Sequence, residues 1–154
     1  MPETLHPLAP LTFPLHGSRL IEASAGTGKT WTIAALVVRL VLGHGGANAF
    51  APQGQPCPLQ PAQILVMTFT RAATRELSER IRARLVEAAA CFRGHSVGDD
   101  FLHDLLATYP EATQREQAAW RLELAAQGMD DAAIFTIDAW CQRVLREHAL
   151  DSGS

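Results

Sequence analysis

Residues 23–30 read Ala-Ser-Ala-Gly-Thr-Gly-Lys-Thr, and this stretch decides the fold. A short apolar run precedes it and a long apolar segment follows, so the pattern predicts a strand over 19–22, a glycine-rich turn and a helix over 29–42. Glycines let the backbone N–H groups of such a turn point inward at one anion, and the helix adds the positive end of its dipole. The stretch therefore predicts a loop that binds the phosphates of a nucleoside triphosphate.

The residues of this loop are the candidates to hold the nucleotide, and two of them have specific expected roles. Lys29 is expected to place its charge between the β- and γ-phosphates, and the Thr30 hydroxyl to ligate Mg²⁺, so these two are the candidate catalytic residues. The candidate cofactor-binding residues are Ala23, Ser24, Ala25, Gly26, Thr27, Gly28, Lys29 and Thr30. The general phosphate-loop pattern has glycine in place of Ala23, and an ordinary turn is the alternative interpretation.

Composition limits the class of protein. The chain has 154 residues, 47% of them hydrophobic and 19% charged, which suits one globular domain with a core. Three scattered cysteines without a C-x-x-C pair argue against a disulfide framework and a zinc site. The sequence shows neither a signal peptide nor an apolar run of membrane-spanning length, so a cytoplasmic location is expected.

Strands are predicted to alternate with helices beyond the loop. The apolar run at 64–69 predicts a parallel strand covered on both faces, followed by a helix that Thr70 caps. The other predicted elements are an extended segment at 1–18, a Gly/Pro-rich loop at 43–61, helices at 101–107 and 113–127, a strand at 134–137, and a last helix to 149 capped by Thr136 or Asp138. The pattern predicts an α/β fold with a parallel sheet and flanking helices.

A second candidate site lies where two of these strands are predicted to end. The candidate DNA-binding residues are Thr68, Phe69, Thr70, Arg71 and Thr136. Carboxyl ends of parallel strands form the sheet edge where ligands bind, and hydroxyls, an aromatic ring and an arginine there can hold a sugar–phosphate backbone and stack a base. The alternative is that Phe69 is a core residue and that the threonines are helix caps.

Local charge favours the same region. Net charge is −3, yet residues 71–93 hold six arginines against three glutamates, whereas 94–138 hold nine acids against two arginines. The predicted helix carries five arginines, which are Arg71, Arg75, Arg80, Arg82 and Arg84. The spacings Glu76–Arg80 and Arg75–Glu79 indicate that most of these five lie on a solvated face and pair with glutamates of the same helix. Arg71 and Arg75, nearest the sheet edge, are the better candidates to meet a polyanion.

Three blocks of sequence, at 22–30, 64–81 and 135–145, resemble in order motifs I, Ia and the next DNA-contacting motif of UvrD-like superfamily 1 helicases. Within that group the chain is similar, over nearly all its length, to the exodeoxyribonuclease V beta-subunit (RecB) family. The resemblance implies a P-loop NTPase (RecA-like) sheet, ATP with Mg²⁺ as cofactors, and single-stranded DNA at Thr68, Phe69, Thr70 and Thr136. Alanine at position 23 is normal in the family. Asp138 departs from it, because histidine is common there and an acid repels phosphate.

The resemblance also implies a function. The family's beta subunit is an ATP-dependent 3′→5′ DNA helicase and exonuclease that processes double-stranded DNA ends in recombinational repair, in a heterotrimer with RecC- and RecD-like subunits. No Asp-Glu pair follows an apolar run here, and in the family that motif lies beyond position 154. Residues 1–154 are thus expected to be an N-terminal fragment, an incomplete first motor domain that alone is marginally stable and hydrolyses no ATP. The alternatives are a solitary UvrD-type repair helicase, a small-molecule kinase and a non-catalytic nucleotide-binding remnant.

Overall fold

The computed structural model describes residues 8–21 and 28–151. In chain order these residues form α1 (Lys29–Leu42), β1 (Leu65–Thr68), α2 (Arg71–Phe92), α3 (Asp100–Ala107), α4 (Ala112–Gln127), β2 (Ala133–Thr136) and α5 (Ile137–Asp151). Short 3₁₀ turns at Gly46–Asn48, Pro61–Gln63 and Gly128–Asp131 lie in the connections. The described part of the chain is an α/β arrangement, as the sequence predicts. None of its helices is long and apolar enough to cross a bilayer.

Helices α1, α2 and α4 pack together and supply most of the core. Val38, Leu85 and Leu122 are fully buried between them. Burying each such side chain contributes about 1.5–3 kcal/mol. The bounds predicted for α1 are confirmed, and it ends at Gly43, which adopts φ 68° and donates its N–H to the Leu40 carbonyl. Glycine suits this helix end because a left-handed backbone costs it nothing.

The two strands form a parallel pair in which Leu65 lies opposite Ala133 and Thr68 opposite Thr136. Val66 and Ile134 pack against the helical core, whereas Leu65 and Met67 are 44% and 49% exposed. The prediction that β1 is covered on both faces is therefore wrong for the described residues. The helical core covers the face that carries Val66 and Ile134. Alternate side chains of a strand point to opposite faces, so Leu65 and Met67 lie on the face that the described residues leave uncovered.

The predicted strand over 19–22 is also wrong for residues 19–21. Residues 19–21 are irregular, Leu20 is 78% exposed, and residue 22 lies outside the described residues. A strand exists only when a neighbour accepts its ladder of hydrogen bonds. Within the described residues β1 and β2 pair only with each other, so the segment has no such neighbour.

A buried cation fastens the N-terminal segment to α1. Arg39 is fully buried, and its Nη1 donates to the carbonyls of Pro10 at 2.9 Å and Phe13 at 2.6 Å. Its Nε donates to Nδ1 of His44 at 3.1 Å. Charged donors make stronger hydrogen bonds than neutral ones, so this side chain holds residues 10–13 against the helix without a regular element.

Candidate functional site

The first turn of α1 has the features of an anion site. Gly28 precedes it with φ 63° and no side-chain cap, and the turn contains no acidic residue. The first N–H groups of a helix have no partner within it, and together with the dipole they favour a negative ligand. Residues 23–27, which hold the rest of the predicted phosphate loop, lie outside the described residues. Among the described residues, the loop therefore ends at a positive helix terminus that has no side-chain cap.

Lys29 and Thr30 are the first two residues of this helix. Lys29 is exposed and is the only lysine of the chain, and Thr30 is half-buried. An ammonium group on a long stem suits phosphate, and a hydroxyl oxygen is a ligand that Mg²⁺ accepts beside nucleotide phosphates. The described residues thus fit a nucleotide with Mg²⁺ at this end of α1.

The second candidate site lies at the carboxyl edge of the sheet. Register pairing places Thr68 directly beside Thr136, so the structure brings together residues from two of the predicted strand ends. Thr136 Oγ1 accepts a hydrogen bond from the Ala139 N–H at 3.1 Å and so caps α5, and Ile137 belongs to the helix rather than to the predicted strand. Of the two caps considered, Thr136 is therefore the one used.

Helix α2 begins at the same edge. Thr70 Oγ1 accepts from the Ala73 N–H at 3.0 Å, which confirms the predicted cap, and Thr68 Oγ1 donates to the Thr70 carbonyl at 3.1 Å. The hydroxyls of Thr70 and Thr136 thus serve as caps, as the alternative interpretation held, whereas that of Thr68 bonds the Thr70 carbonyl and the Thr74 hydroxyl. Phe69, however, is 88% exposed and is not a core residue. An exposed ring at a sheet edge remains available to stack on a base.

The arginines of α2 divide into two groups. Arg71 and Arg75 are exposed, and in the described part of the chain neither forms an ion pair. The predicted pair Glu76–Arg80 is present at 3.7 Å, whereas no pair joins Arg75 to Glu79 among the described residues. The first turn of α2 therefore carries unpaired positive charge beside Phe69.

Arg84 is the exception to a solvated arginine face. It is 8% exposed, and its Nη2 donates to Asp99 Oδ2 at 2.6 Å. The same carboxylate oxygen accepts from Trp31 Nε1 at 3.3 Å. Sequence reasoning missed this site, although Arg84 lies three residues after Ile81 on the buried stripe of the helix. That spacing was the available signal.

A third group of side chains lies on the β2–α5 corner. The Phe135 and Trp140 rings are 5.8 Å apart, and the Arg143 guanidinium lies 5.2 Å from the centre of the Phe135 ring. Arg143 also contacts Glu147 at 3.2 Å. Asp138 is exposed in the first turn of α5. The sequence drew attention to Thr136 and Asp138 in this region but not to Arg143.

Comparison with known proteins adds to this geometry. The sequence profile of the "UvrD/REP helicase N-terminal domain" family matches residues 7–154. The chain is 49% identical over 99% of its length to the RecBCD enzyme subunit RecB of Escherichia coli K12, and 43% identical over 99% to that of Haemophilus influenzae. It is 37% identical over 90% of its length to the RecB subunit of Mycolicibacterium smegmatis. It spans 12%, 12% and 11% of these three relatives.

Proposed function

The chain belongs to the family of UvrD/REP helicase N-terminal domains, and we propose that it is the ATP-binding part of an ATP-dependent DNA helicase and exonuclease subunit. In this proposal the full-length protein unwinds and processes double-stranded DNA ends in recombinational double-strand-break repair. The identity of 49% to a RecB subunit over nearly all of the chain supports the assignment. Residues 1–154 then form the N-terminal part of a P-loop NTPase (RecA-like) motor domain.

The observation that carries the proposal is the start of α1. Lys29 and Thr30 stand on a helix terminus that has no side-chain cap and no acid in its first turn. In the proposal Gly28 and the preceding loop residues let the backbone approach the phosphates of ATP, Lys29 neutralises their charge, and Thr30 ligates Mg²⁺. Bound ATP supplies the phosphoanhydride bond whose hydrolysis drives the motor.

DNA is proposed to meet the carboxyl edge of the sheet. The exposed Phe69 ring is suited to stack on a base, and Arg71 to contact a phosphate. Thr68, Thr70 and Thr136 then shape this edge, and their hydroxyls stabilise the helix starts that flank the strand. Arg71 and Arg75 are exposed and form no ion pair within the part of the chain that the structure describes, which supports a polyanion at this edge.

The names of the related subunits suggest the partners. We propose that the full-length protein works in a heterotrimer with RecC- and RecD-like subunits, acts on single- and double-stranded DNA at duplex ends, and resides in the bacterial cytoplasm. The support is the similarity to subunits named as parts of the RecBCD enzyme.

The test is ATP hydrolysis by the full-length protein with and without DNA ends. Lys29→Ala is expected to lower the DNA-stimulated rate about 100-fold or more, because it removes a charge that the transition state needs. Arg80→Ala is the matched control, since it removes an exposed cation that pairs with the exposed Glu76. Unchanged hydrolysis in Lys29→Ala contradicts the role of the loop. Phosphorylation of a small-molecule acceptor without any response to DNA favours a kinase instead.

A further inference from the structure

Four side chains join the first turn of α1 to α2 and α3, and we call them the Trp31 cluster: Trp31, Arg84, Asp99 and Phe101. The Arg84 guanidinium lies 5.4 Å from the centre of the Trp31 ring and 5.5 Å from that of Phe101. The two rings meet edge to face, with their centres 5.8 Å apart. Asp99 Oδ2 accepts from both Arg84 and Trp31.

The geometry makes this cluster more than a surface ion pair. Arg84 is 8% exposed, and its Nε has no partner among the described residues. Its charge is compensated by Asp99, by Glu87 (Nη1 to Oε2, 3.3 Å) and by the faces of two rings. Burial strengthens cation–π and charge-assisted hydrogen bonds because little water competes for them. Asp99 is itself fixed, since its Oδ1 accepts from the Leu102 N–H at 3.0 Å and caps α3.

The protonation of Asp99 supports a permanent contact. Burial raises the pKa of its carboxyl, but the hydrogen bonds from the Leu102 N–H, Arg84 and Trp31 outweigh this effect and hold the pKa below its ordinary value. Asp99 therefore stays ionised at neutral pH and keeps its hydrogen bonds from Arg84 and from the Trp31 N–H.

The cluster contacts α1 close to the residues that are predicted to bind the nucleotide. Trp31 directly follows Thr30 and lies two residues after Lys29, in the same helical turn. The residues of one helical turn move together, so whatever holds the Trp31 ring also orients the two residues before it. Gly28, at the start of the turn, offers no side chain to anchor it.

We propose that Trp31, Arg84 and Asp99 are positioning residues that hold Lys29 and Thr30 in the orientation in which they meet nucleotide phosphates. The inference rests on the proposed function and adds a set of residues outside the loop. A positional error of about 1 Å at such a site can cost on the order of 100-fold in activity, so a contact remote from the nucleotide matters.

The test measures KM for ATP and kcat of DNA-stimulated hydrolysis, with thermal stability, in the full-length protein. Trp31→Phe keeps a ring beside Arg84 but removes the N–H that reaches Asp99, and Arg84→Met removes the cation. The matched control is Arg82→Met, which breaks the exposed Arg82–Asp130 pair (2.7 Å) on the same helix. We expect KM to rise about tenfold in both cluster variants and to stay within about twofold in the control.

Two results overturn the inference, and they are distinguishable. If Trp31→Phe and Arg84→Met lower the melting temperature but leave KM and kcat at the parent values, the cluster serves stability alone. If the parent protein itself neither binds nor hydrolyses ATP, the proposed function fails and the inference fails with it. Trp31→Phe keeps the test decisive should Arg84→Met not fold, because Trp31 is 41% exposed and tolerates a smaller ring.

Discussion

Acidification is expected to loosen the packing of the N-terminal segment through His44. Burial and the nearby positive charge of Arg39 lower the pKa of this imidazole from 6.5 to about 4. Arg39 Nε donates to Nδ1, so the ring is neutral and carries its proton on Nε2, which faces Thr108 Oγ1 at 3.2 Å. The Thr108 hydroxyl in turn donates to the Leu105 carbonyl at 2.6 Å. Protonation of His44 Nδ1 breaks its hydrogen bond with Arg39 Nε, which is the first of these three contacts.

The sign and size of the effect follow from the two pKa values. Because the folded pKa is depressed, the unfolded chain binds a proton between about pH 4 and pH 6.5 that the folded chain does not, so stability falls as pH falls through this window. At about 1.36 kcal/mol per pH unit, the upper limit between pH 7 and pH 5 is about 2 kcal/mol. The ring is only partly buried, and solvent screening reduces this to about 1 kcal/mol.

The assay is urea unfolding of the 154-residue chain at pH 7 and pH 5, compared with His44→Gln. Glutamine does not titrate, so the parent is expected to lose about 1 kcal/mol more than the variant between these pH values. Imidazole NMR of the folded parent is expected to show the Nε2–H form at pH 7 and a His44 pKa of about 4. Equal losses in parent and variant, or a measured pKa near 6.5, refute the reasoning.

Two further predictions compare matched pairs of variants. Gly45→Ala is expected to lower the free energy of unfolding by about 2–3 kcal/mol, because Gly45 has φ 131° and a Cβ there would lie 2.5 Å from Arg39 Nη2. Gly46→Ala, at φ 53° with nothing within 4 Å, is expected to cost about 1–2 kcal/mol; equal losses in urea unfolding contradict this ranking. In the full-length protein, Phe69→Ala is expected to weaken single-stranded DNA binding by about 1–3 kcal/mol without loss of stability. Val97→Ala, which also alters an exposed apolar residue (82%), is expected to leave the affinity unchanged, and anisotropy of a labelled oligonucleotide measures both.

Helices were predictable from the sequence because their signals are local. The apolar run of α1 stops at Gly43, and Thr70 precedes the apolar stripe of α2, so bounds and caps follow from neighbouring residues. The segment at 19–22 carries the same kind of local signal for a strand. Whether it pairs depends on a distant neighbour, which no property of the segment itself supplies.

The residues of the candidate sites also divide into those that local sequence predicts and those that depend on long-range packing. The helix start at Lys29 and the sheet-edge cap at Thr136 follow from local pattern and from the rule that parallel strands end together. The burial of Arg84 was not predicted, because charge spacing alone does not reveal a partner far along the sequence. Trp31 and Asp99 are 68 residues apart, and only the packing of α1 against α2 and α3 brings them within hydrogen-bonding distance.

The parallel register also determines when β1 can pair during synthesis of the chain. Each residue of β1 pairs with one that is 68 positions further along the chain. At a synthesis rate of about 5–20 residues per second, β1 waits roughly 3–14 s for its partner to be made. During that interval the apolar run at 64–69 has free hydrogen-bonding edges, which are the usual starting point for association between chains. Helix α2, which packs against β1, is made before β2 and can cover one side of this strand in the interval.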